Sequence, residues 1–290
     1  MSIYVFKVFD EVVTSGSFAR AAENLNLSAS AVSHNIRALE DDFGFSLFVR
    51  NRAGAALTEE GKKLLPYIRA LIVARDNVDQ QVSMINNHNV GTVRIAMYSS
   101  VAYNWFVKIL INFRKKYPGI DVVLSQGNYA KIMEWLDNKE VDMAFTTDAL
   151  AEGTNFKPLK KDPIICVTDT EYLPKNKFSV TVSDLKNASL IINRECAAYD
   201  AKDFIAKHEL DFDTYYDTVE HQTLFAMVKE GMGLCLCPEL VASDAPGDVK
   251  KYSILGSPSR VIGLTYADPA AISPAAKLLT EEIEAYVKSI

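Results

Sequence analysis

Histidine and cysteine are scarce in this sequence, with only four of each among 290 residues. The histidines are scattered, and one residue separates Cys235 from Cys237, whereas zinc motifs place two or more residues between ligands. We therefore expect no metal site and no cofactor, and reduced structural thiols at the cysteines. A Ser-His-Asp arrangement and a glycine-rich phosphate loop are also missing, so the sequence does not indicate an enzyme.

Long apolar runs are missing as well. No run approaches the roughly twenty residues needed to span a membrane, and the first residues carry neither the basic lead-in nor the small-residue cleavage site of a signal peptide. We therefore expect a cytoplasmic protein with no membrane partner. Basic residues are not in excess either: 31 Lys and Arg against 37 Asp and Glu give a formal net charge of −6. Any binding to nucleic acid must then depend on locally placed basic side chains.

The segment 17–61 carries the most informative pattern. Two short amphipathic helices meet across the turn Asn26-Leu27-Ser28, an arrangement typical of a helix-turn-helix. The second helix has an apolar face, and its opposite face offers groups that can hydrogen-bond base edges and phosphates. The apolar face consists of Val32, Ile36, Leu39 and Phe43, and the polar face of Ser30, Ser33, His34 and Arg37. On periodicity alone, a helical hairpin with a solvated polar face fits equally well.

Many residues of this segment match one family pattern in register. They are Gly16-Ser17-Phe18, Ala21-Ala22, Leu25, Leu27-Ser28, Ala31-Val32-Ser33, Ile36, Leu39-Glu40, Gly44, Leu47-Phe48, Arg50 and Leu57-Thr58-Glu59-Glu60-Gly61. The segment resembles the N-terminal domain of LysR-type transcriptional regulators. The resemblance implies an all-α winged helix-turn-helix domain over residues 1–60, with Arg50 and Arg52 near phosphates at the wing. The family often has Gln-Pro where this chain has Ala29-Ser30, so base preference is not carried over.

A long linker helix is predicted over residues 58–88. Thr58 is a good N-cap, and the two glutamates after it suit the first turn. Apolar residues recur at alternating spacings of four and three, interrupted by Arg75, which is typical of a helix that pairs with another helix. The predicted dimerisation residues are Leu64, Ile68, Leu71, Val78 and Val82. A helix laid across its own domain is the alternative. Pairing predicts a homodimer or homotetramer that reads a two-fold symmetric DNA site.

From residue 91 the pattern changes to alternating strands and helices, which predicts a sheet covered by helices. The later predicted elements include strands at 190–193 and 234–238 and a closing helix at 274–289. The resemblance extends here and implies two subdomains of periplasmic-binding-protein type. The predicted fold class is therefore an α/β effector domain over 91–290, preceded by the winged helix-turn-helix domain and the linker helix. Subdomain I is predicted at 91–160 plus 267–290, and subdomain II at 161–266.

Polar residues at the ends of the predicted strands suggest a ligand cleft, because ligands of open α/β sheets lie beyond the carboxyl ends of the strands. The candidate effector-binding residues are Ser99, Ser100, Asn128, Thr147, Asn193 and His221. Ser99 and Ser100 can also serve as ordinary helix caps, and Asn128 and Asn193 as turn residues. The resemblance implies a small-molecule effector at the corresponding loop, often one that binds through a carboxylate. Arg194 is the nearby residue that can offset Glu195 for an anionic effector.

Together these observations predict a LysR-type DNA-binding transcriptional regulator whose activity is controlled by a small molecule in the cleft. Expected partners are double-stranded DNA, the effector, further copies of this chain and RNA polymerase. One alternative is a redox-sensing regulator that acts through Cys196, since the neighbouring Arg194 can lower the pKa of that thiol. The other is a solute-binding protein, which the N-terminal domain and the expected lack of a signal peptide both oppose.

Overall fold

The structure, a computed structural model, describes residues 2–51, 54–86, 89–216 and 221–290, and of residues 50, 51 and 214–216 only the backbone. The N-terminal domain consists of α1 (Ile3–Ser15), α2 (Phe18–Asn24), α3 (Ala29–Phe43), β1 (Phe48–Asn51) and β2 (Gly54–Leu57). Serine side chains cap the start of all three helices, because each accepts a hydrogen bond from a backbone N–H of the first turn. The predicted helix-turn-helix is thus confirmed, and the hairpin β1–β2 forms the wing.

The core of this domain gathers the apolar faces of its helices. Val8, Phe9 and Val12 of α1 pack against the predicted apolar face of α3, whose residues Val32, Ile36 and Leu39 are buried. The next helix, α4 (Glu59–Ile85), begins at the predicted cap: the Thr58 hydroxyl accepts a hydrogen bond from the backbone N–H of Gly61. The first turns of α4 complete the N-terminal core, and the rest of the helix leads to the second domain.

Subdomain I begins with a parallel three-stranded sheet. Its elements are β3 (Gly91–Met97), α5 (Ser99–Val101), a π-helical segment (Ala102–Phe106) that continues into α6 (Val107–Lys116), β4 (Ile120–Gln126), α7 (Tyr129–Asp137) and β5 (Met143–Thr147). The strand β3 lies between β4 and β5 and is parallel to both. The carboxyl ends of these strands therefore lie at one edge of the sheet, where α5 and α7 begin.

Subdomain II contains the second sheet and its covering helices. The elements are β6 (Lys157–Thr168), β7 (Ser179–Val180), α8 (Val182–Lys186), β8 (Leu190–Asn193), a π-helical segment (Cys196–Asp200), α9 (Lys202–His208), β9 (Thr214–Tyr216), α10 (Gln222–Lys229), β10 (Leu234–Pro238), α11 (Glu239–Ala242) and β11 (Lys250–Ile254). The chain then returns through β12 (Ser259–Tyr266) and ends in α12 (Pro274–Ser289), which packs into the core of subdomain I.

Two long strands, β6 and β12, connect the subdomains. They pair antiparallel with each other, and β6 continues beside β10 of subdomain II while β12 continues beside β5 of subdomain I. The sequence-based division assigned all of 161–266 to subdomain II. In the structure, residues 262–266 belong to the sheet of subdomain I, because a strand long enough to cross the boundary pairs in both sheets.

The regular elements of the second domain follow the hydrophobic pattern closely. The strands predicted at 190–193 and 234–238 and the closing helix at 274–289 have the observed bounds. Among the described residues, no helix is both long and apolar enough to cross a membrane. Within the same part of the chain, no group of three or more His, Cys, Asp and Glu side chains is placed to hold a metal ion.

Candidate functional site

The polar face of α3 lies on the surface of the N-terminal domain. Ser30, His34 and Arg37 are exposed and Ser33 is half-buried, while the opposite face of the helix fills the core. These are the four side chains predicted to contact DNA. At the acidic end of α3, the Glu40 carboxylate accepts hydrogen bonds from the backbone N–H groups of Leu47 and Phe48 at 2.6 and 3.2 Å. Glu40 therefore holds the start of the wing in place.

The wing itself is described only in part. The backbone of β1 pairs with β2 from Phe48 to Asn51. The side chain of Arg50 and the whole of Arg52 lie outside the described residues. Their predicted contact with phosphate stays a prediction.

The predicted dimerisation seam on α4 divides into two parts. Ile68 is only 3% exposed and Leu64 is half-buried, and both pack into the core of the N-terminal domain. By contrast, Leu71, Val78 and Val82 are 52%, 54% and 52% exposed. The prediction for Ile68 is therefore wrong. Apolar residues that pair two helices recur at the same spacing as apolar residues that pack a helix on its own domain, so the pattern does not distinguish them. The exposed seam runs from Leu71 to Ile85.

The cleft between the subdomains encloses a cavity of about 40 Å³. Both subdomains contribute to its wall, which is formed by Tyr98, Ser99, Ser100, Gly127, Asn128, Tyr129, Asn193, Glu195, Cys196, Asp200, His221, Cys237, Pro238, Val241 and Arg260. A wider cavity of about 500 Å³ shares Ser99, Ser100, His221 and Val241 with it and extends to Tyr103, Phe225 and Asp244. The two together form a small inner chamber with a larger mouth.

A buried arginine occupies the centre of the cleft. Arg260 and Asp162 are opposite one another on β12 and β6, and their side chains form an ion pair at 2.8 Å. The guanidinium also lies 3.5 Å from a carboxylate oxygen of Asp200 and 4.8 Å from the ring centroid of Tyr98. It donates hydrogen bonds to the hydroxyls of Tyr129 at 2.8 Å and Ser100 at 3.3 Å. One cation thus connects both subdomains and both crossover strands.

The protonation states of the cleft follow from burial. Burial raises the pKa of Asp200 to about 6, although Arg260 lowers it. Burial and the nearby Arg260 lower the pKa of His221 to about 4, so this imidazole is neutral at pH 7. The Tyr98 hydroxyl and His221 Nδ1 are both buried without a hydrogen-bond partner from the described residues. Such groups are costly to bury unless something bonds them.

A carboxylate of the protein itself occupies the start of α7. Glu195 of subdomain II accepts a hydrogen bond from the backbone N–H of Tyr129 at 2.8 Å, the first residue of that helix. The Tyr129 hydroxyl lies 3.1 Å from both carboxylate oxygens of Asp200. A helix N-terminus favours negative charge, because its free N–H groups and its dipole point outward. The position therefore already holds an anion, supplied from across the cleft.

The predicted effector-binding residues are mostly brought together. Ser99, Ser100, Asn128, Asn193 and His221 all line the inner cavity. The two serines lie within the first turn of α5 and do not cap it, since Tyr98 is the N-cap residue. The Asn128 side chain, by contrast, caps α7 by accepting a hydrogen bond from the N–H of Lys131, as the turn interpretation predicted. Asn193 likewise accepts one from the N–H of Glu195.

Two predictions about the cleft are corrected by the structure. Thr147 is fully buried and is not part of either cavity wall, because β12 pairs beside it at Ile262. Arg194 is exposed and does not line the cavity. The cation of the cleft is Arg260.

Arg260, Tyr98, Tyr129, Asp162 and Asp200 are not among the site residues predicted from sequence. The prediction rested on the carboxyl ends of parallel strands, whereas Arg260 lies at the start of β12, which runs antiparallel to β5. The start of such a strand reaches the same edge as the ends of its parallel neighbours. A search of both ends of every strand would have included Ser259-Arg260 as a candidate.

The cysteines are all buried and unpaired as described. Burial and the nearby Asp200 raise the pKa of the Cys196 thiol well above its usual range, so the expected effect of Arg194 is not found. Cys237 lines the same inner cavity, which places a second thiol near Cys196 in space although not in sequence. The burial of Cys166, Cys235 and Cys237 agrees with a structural role.

Comparison with known proteins agrees with this architecture. Residues 4–62 match the bacterial regulatory helix-turn-helix protein, lysR family, and residues 86–288 match the LysR substrate binding domain. Among curated proteins, the chain is 28% identical over 250 residues to the uncharacterized HTH-type transcriptional regulator YvbU of Bacillus subtilis (strain 168). That alignment covers 85% of this chain and 84% of the relative.

Solved structures share the whole fold. A full-length OxyR variant from Pseudomonas aeruginosa superposes with a TM-score of 0.81 at 18% identity, covering 98% of this chain and 94% of that one. Full-length CbnR in complex with its target DNA gives a TM-score of 0.66 at 19% identity, over 99% of this chain and 100% of the other. The match to the LysR substrate binding domain alone spans more than half of the chain. The chain therefore belongs to the LysR family of DNA-binding transcriptional regulators.

Proposed function

We propose that this regulator reads a two-fold symmetric DNA site through α3 and responds to a small carboxylate-bearing effector in the cleft between its subdomains. The DNA-binding half of the proposal is supported by the exposed polar face of α3, formed by Ser30, Ser33, His34 and Arg37. Two such helices are brought together when the exposed seam Leu71–Ile85 pairs with that of a second copy. RNA polymerase is the further partner on which the DNA-bound oligomer acts.

One observation carries the effector half: a carboxylate oxygen, that of Glu195, lies 2.8 Å from the N–H of Tyr129 at the start of α7. The same chamber offers the hydroxyls of Ser99 and Ser100, and that of Tyr98, which has no hydrogen-bond partner among the described residues. An effector carboxylate that takes the place of Glu195 keeps the α7 N-terminus satisfied and releases one link between the subdomains. The remainder of the effector fills the wider mouth beside Tyr103 and Phe225.

The experiment measures the affinity of the full chain for the DNA upstream of its own coding region by fluorescence anisotropy and footprinting. A panel of small aliphatic and aromatic carboxylates is added, each beside its amide. We expect at least one carboxylate, and not its amide, to change DNA affinity by about 5- to 100-fold. In the Ser100→Ala variant the response weakens. A carboxylate that binds the cleft but changes neither DNA affinity, nor DNA bending, nor oligomer geometry contradicts the proposal.

The redox alternative has one supporting and one opposing observation. Cys237 shares the inner cavity with Cys196 and can serve as a second thiol. Burial, however, raises the pKa of Cys196 well above its usual range, and the Cys235 side chain together with burial does the same for the pKa of Cys237, whereas the thiolate is the form that reacts with oxidants. The same DNA-binding assay with hydrogen peroxide separates the two mechanisms. A response to peroxide that disappears in Cys196→Ser favours the redox mechanism, and an unchanged affinity excludes it.

A further inference from the structure

The linker helix α4 contacts both domains of its own chain. Toward the N-terminal domain, Lys7 of α1 pairs with Asp76 at 2.9 Å. Toward the effector domain, the Asn77 amide donates a hydrogen bond to the carbonyl of Ala271 at 2.6 Å, and the Gln80 amide donates one to the carbonyl of Thr92 at 3.3 Å. The helix is thus held between the DNA-binding domain and subdomain I.

One side chain on α4 contacts both domains at once. Arg69 is only 6% exposed. Its Nε donates a hydrogen bond to Asp10 of α1 at 2.6 Å. Its Nη1 donates to the carbonyl of Asn138 at 3.1 Å and to the carboxylate of Glu140 at 3.0 Å, both directly after α7. A planar guanidinium can hold such divergent acceptors together, whereas a lysine ammonium presents a single point charge.

The acceptors on the effector side are fixed to α7. The N–H of Asn138 donates to the carbonyl of Glu134, and the N–H of Glu140 donates to the carbonyl of Trp135, so the end of the helix and the following turn form one unit. The other end of α7 is Tyr129, which contacts Glu195, Asp200 and Arg260 in the cleft. At 1.5 Å per residue, the nine residues of α7 span about 13 Å. One short rigid helix therefore connects the cleft to Arg69.

We propose that Arg69 is the junction that couples the cleft to the DNA-binding domain. When Glu195 leaves the N-terminus of α7, the helix shifts and carries the Asn138 and Glu140 acceptors with it. Arg69 then alters its ion pair with Asp10, and α1 and the α3 that packs on it change their position relative to α4. This inference rests on the proposed effector cleft, although its test uses neither effector nor DNA.

A purely structural ion pair makes a different prediction. Such a pair stabilises the contact between domains but does not report on the cleft. Asp10 and Glu140 are 31% and 33% exposed, so water can solvate both carboxylates when the guanidinium is removed. Variants at position 69 should therefore fold. The coupling can then be measured as the non-additivity of the effects of a substitution in the cleft and a substitution at Arg69.

The experiment is hydrogen–deuterium exchange by mass spectrometry on the full chain. The cleft is changed by Glu195→Ala, which removes the acceptor of the Tyr129 N–H, alone and together with Arg69→Met or Arg69→Lys. The matched control is Lys62→Met on the same helix, outside the seam Leu71–Ile85, where the lysine is exposed and pairs with Glu59. Exchange of the amides of α1 is the readout, and exchange of β8 is the reference for an intact fold.

We expect Glu195→Ala to change exchange in α1 by about fivefold or more in the parent and in the Lys62→Met background. In both Arg69 backgrounds the same change should nearly disappear. An equal response in the Arg69 backgrounds, or an α1 that does not respond to Glu195→Ala in the parent, overturns the proposal. If Arg69→Met fails to fold, Arg69→Lys decides. If Arg69 couples the cleft to α1 but no small molecule changes DNA affinity, the proposed function is contradicted and this inference stands.

Discussion

At the scale of single residues, the cleft is organised by one buried cation with two buried acids. Arg260 pairs with Asp162 at 2.8 Å and lies 3.5 Å from Asp200, and all three side chains are buried. Removing charges from water is costly unless they are paired and hydrogen-bonded. One guanidinium neutralises the charge of only one of the two carboxylates, which agrees with the raised pKa of Asp200. The free energy of unfolding should therefore depend on the protonation of Asp200.

We predict that Asp200→Asn changes the pH dependence of stability. The ordinary pKa of this carboxyl is 3.8 and burial raises it to about 6 in the folded protein, so the native state binds the proton more tightly. The stability that this proton contributes is present below pH 4 and is lost as the pH rises through 6. The free energy of unfolding of Asp200→Asn should therefore rise relative to the parent by roughly 1 to 3 kcal/mol between pH 4.5 and 7.

Urea unfolding at both pH values measures this difference. His221 titrates in the same range with the opposite sign, because its pKa is lowered to about 4, but it is present in both proteins and cancels. The control is Asp248→Asn. Asp248 is exposed and pairs with Lys229, which lowers its pKa, so its variant should give a constant difference over this range. A constant difference for Asp200→Asn as well would contradict the assignment.

At the scale of secondary-structure elements, periodicity identified the helices and strands better than it identified their neighbours. The apolar faces of α3 and α12 and the strand β8 appear where the pattern predicts them, because burial of one face is local information. Which element packs against that face depends on the tertiary structure and is not contained in the local pattern. Ile68 and Val78 belong to one repeat on α4, yet the first packs into its own domain and the second is exposed.

We predict that Val78→Asp with Val82→Asp separates the oligomer into folded monomers. Both valines are more than half exposed in the single chain, so the substitutions should leave its core intact. Charges in the seam oppose helix pairing. Sedimentation velocity should show a loss of mass, and affinity for the symmetric DNA site should fall by roughly 100-fold or more, since the two half-sites are no longer bound together. Leu173→Asp is the control, because Leu173 is equally exposed but lies far from α4 in sequence. A double variant that keeps its mass would place the interface elsewhere.

At the scale of the whole molecule, the order of domains was predictable from sequence, while the centre of the cleft was not. The helix-turn-helix and the strand–helix alternation are contiguous patterns, and each forms one domain. The cleft is built from residues far apart in the chain, such as Tyr129 and Arg260, which only the crossover strands bring together. The polar strand ends gave five of its wall residues. Predicting Arg260 as a wall residue requires the directions of the strands, which the sequence pattern does not give.

The net charge of the whole molecule also limits how the protein can bind DNA. The formal net charge is −6, so attraction to phosphate cannot come from the molecule as a whole. Locally placed basic side chains must then contact the phosphates, and the exposed groups on α3 are predicted to read the bases. We predict that His34→Ala with Arg37→Ala weakens binding to the specific site by about 30-fold or more, at roughly 1 to 3 kcal/mol for each of the two lost contacts. Both side chains are exposed on α3, so the fold and the cleft should be unaffected.

The measurement is anisotropy of labelled specific and random duplexes over a series of salt concentrations. In the parent, the logarithm of affinity should fall linearly with the logarithm of salt, because bound phosphates release counterions. The double variant should lose affinity for the specific duplex much more than for the random one, since base contacts carry the sequence preference. The control is Arg114→Ala, which removes an exposed arginine from α6 of the effector domain rather than from α3. Equal losses on both duplexes would mean that His34 and Arg37 contact only phosphates, and the reading of bases would then have to come from Ser30 and Ser33.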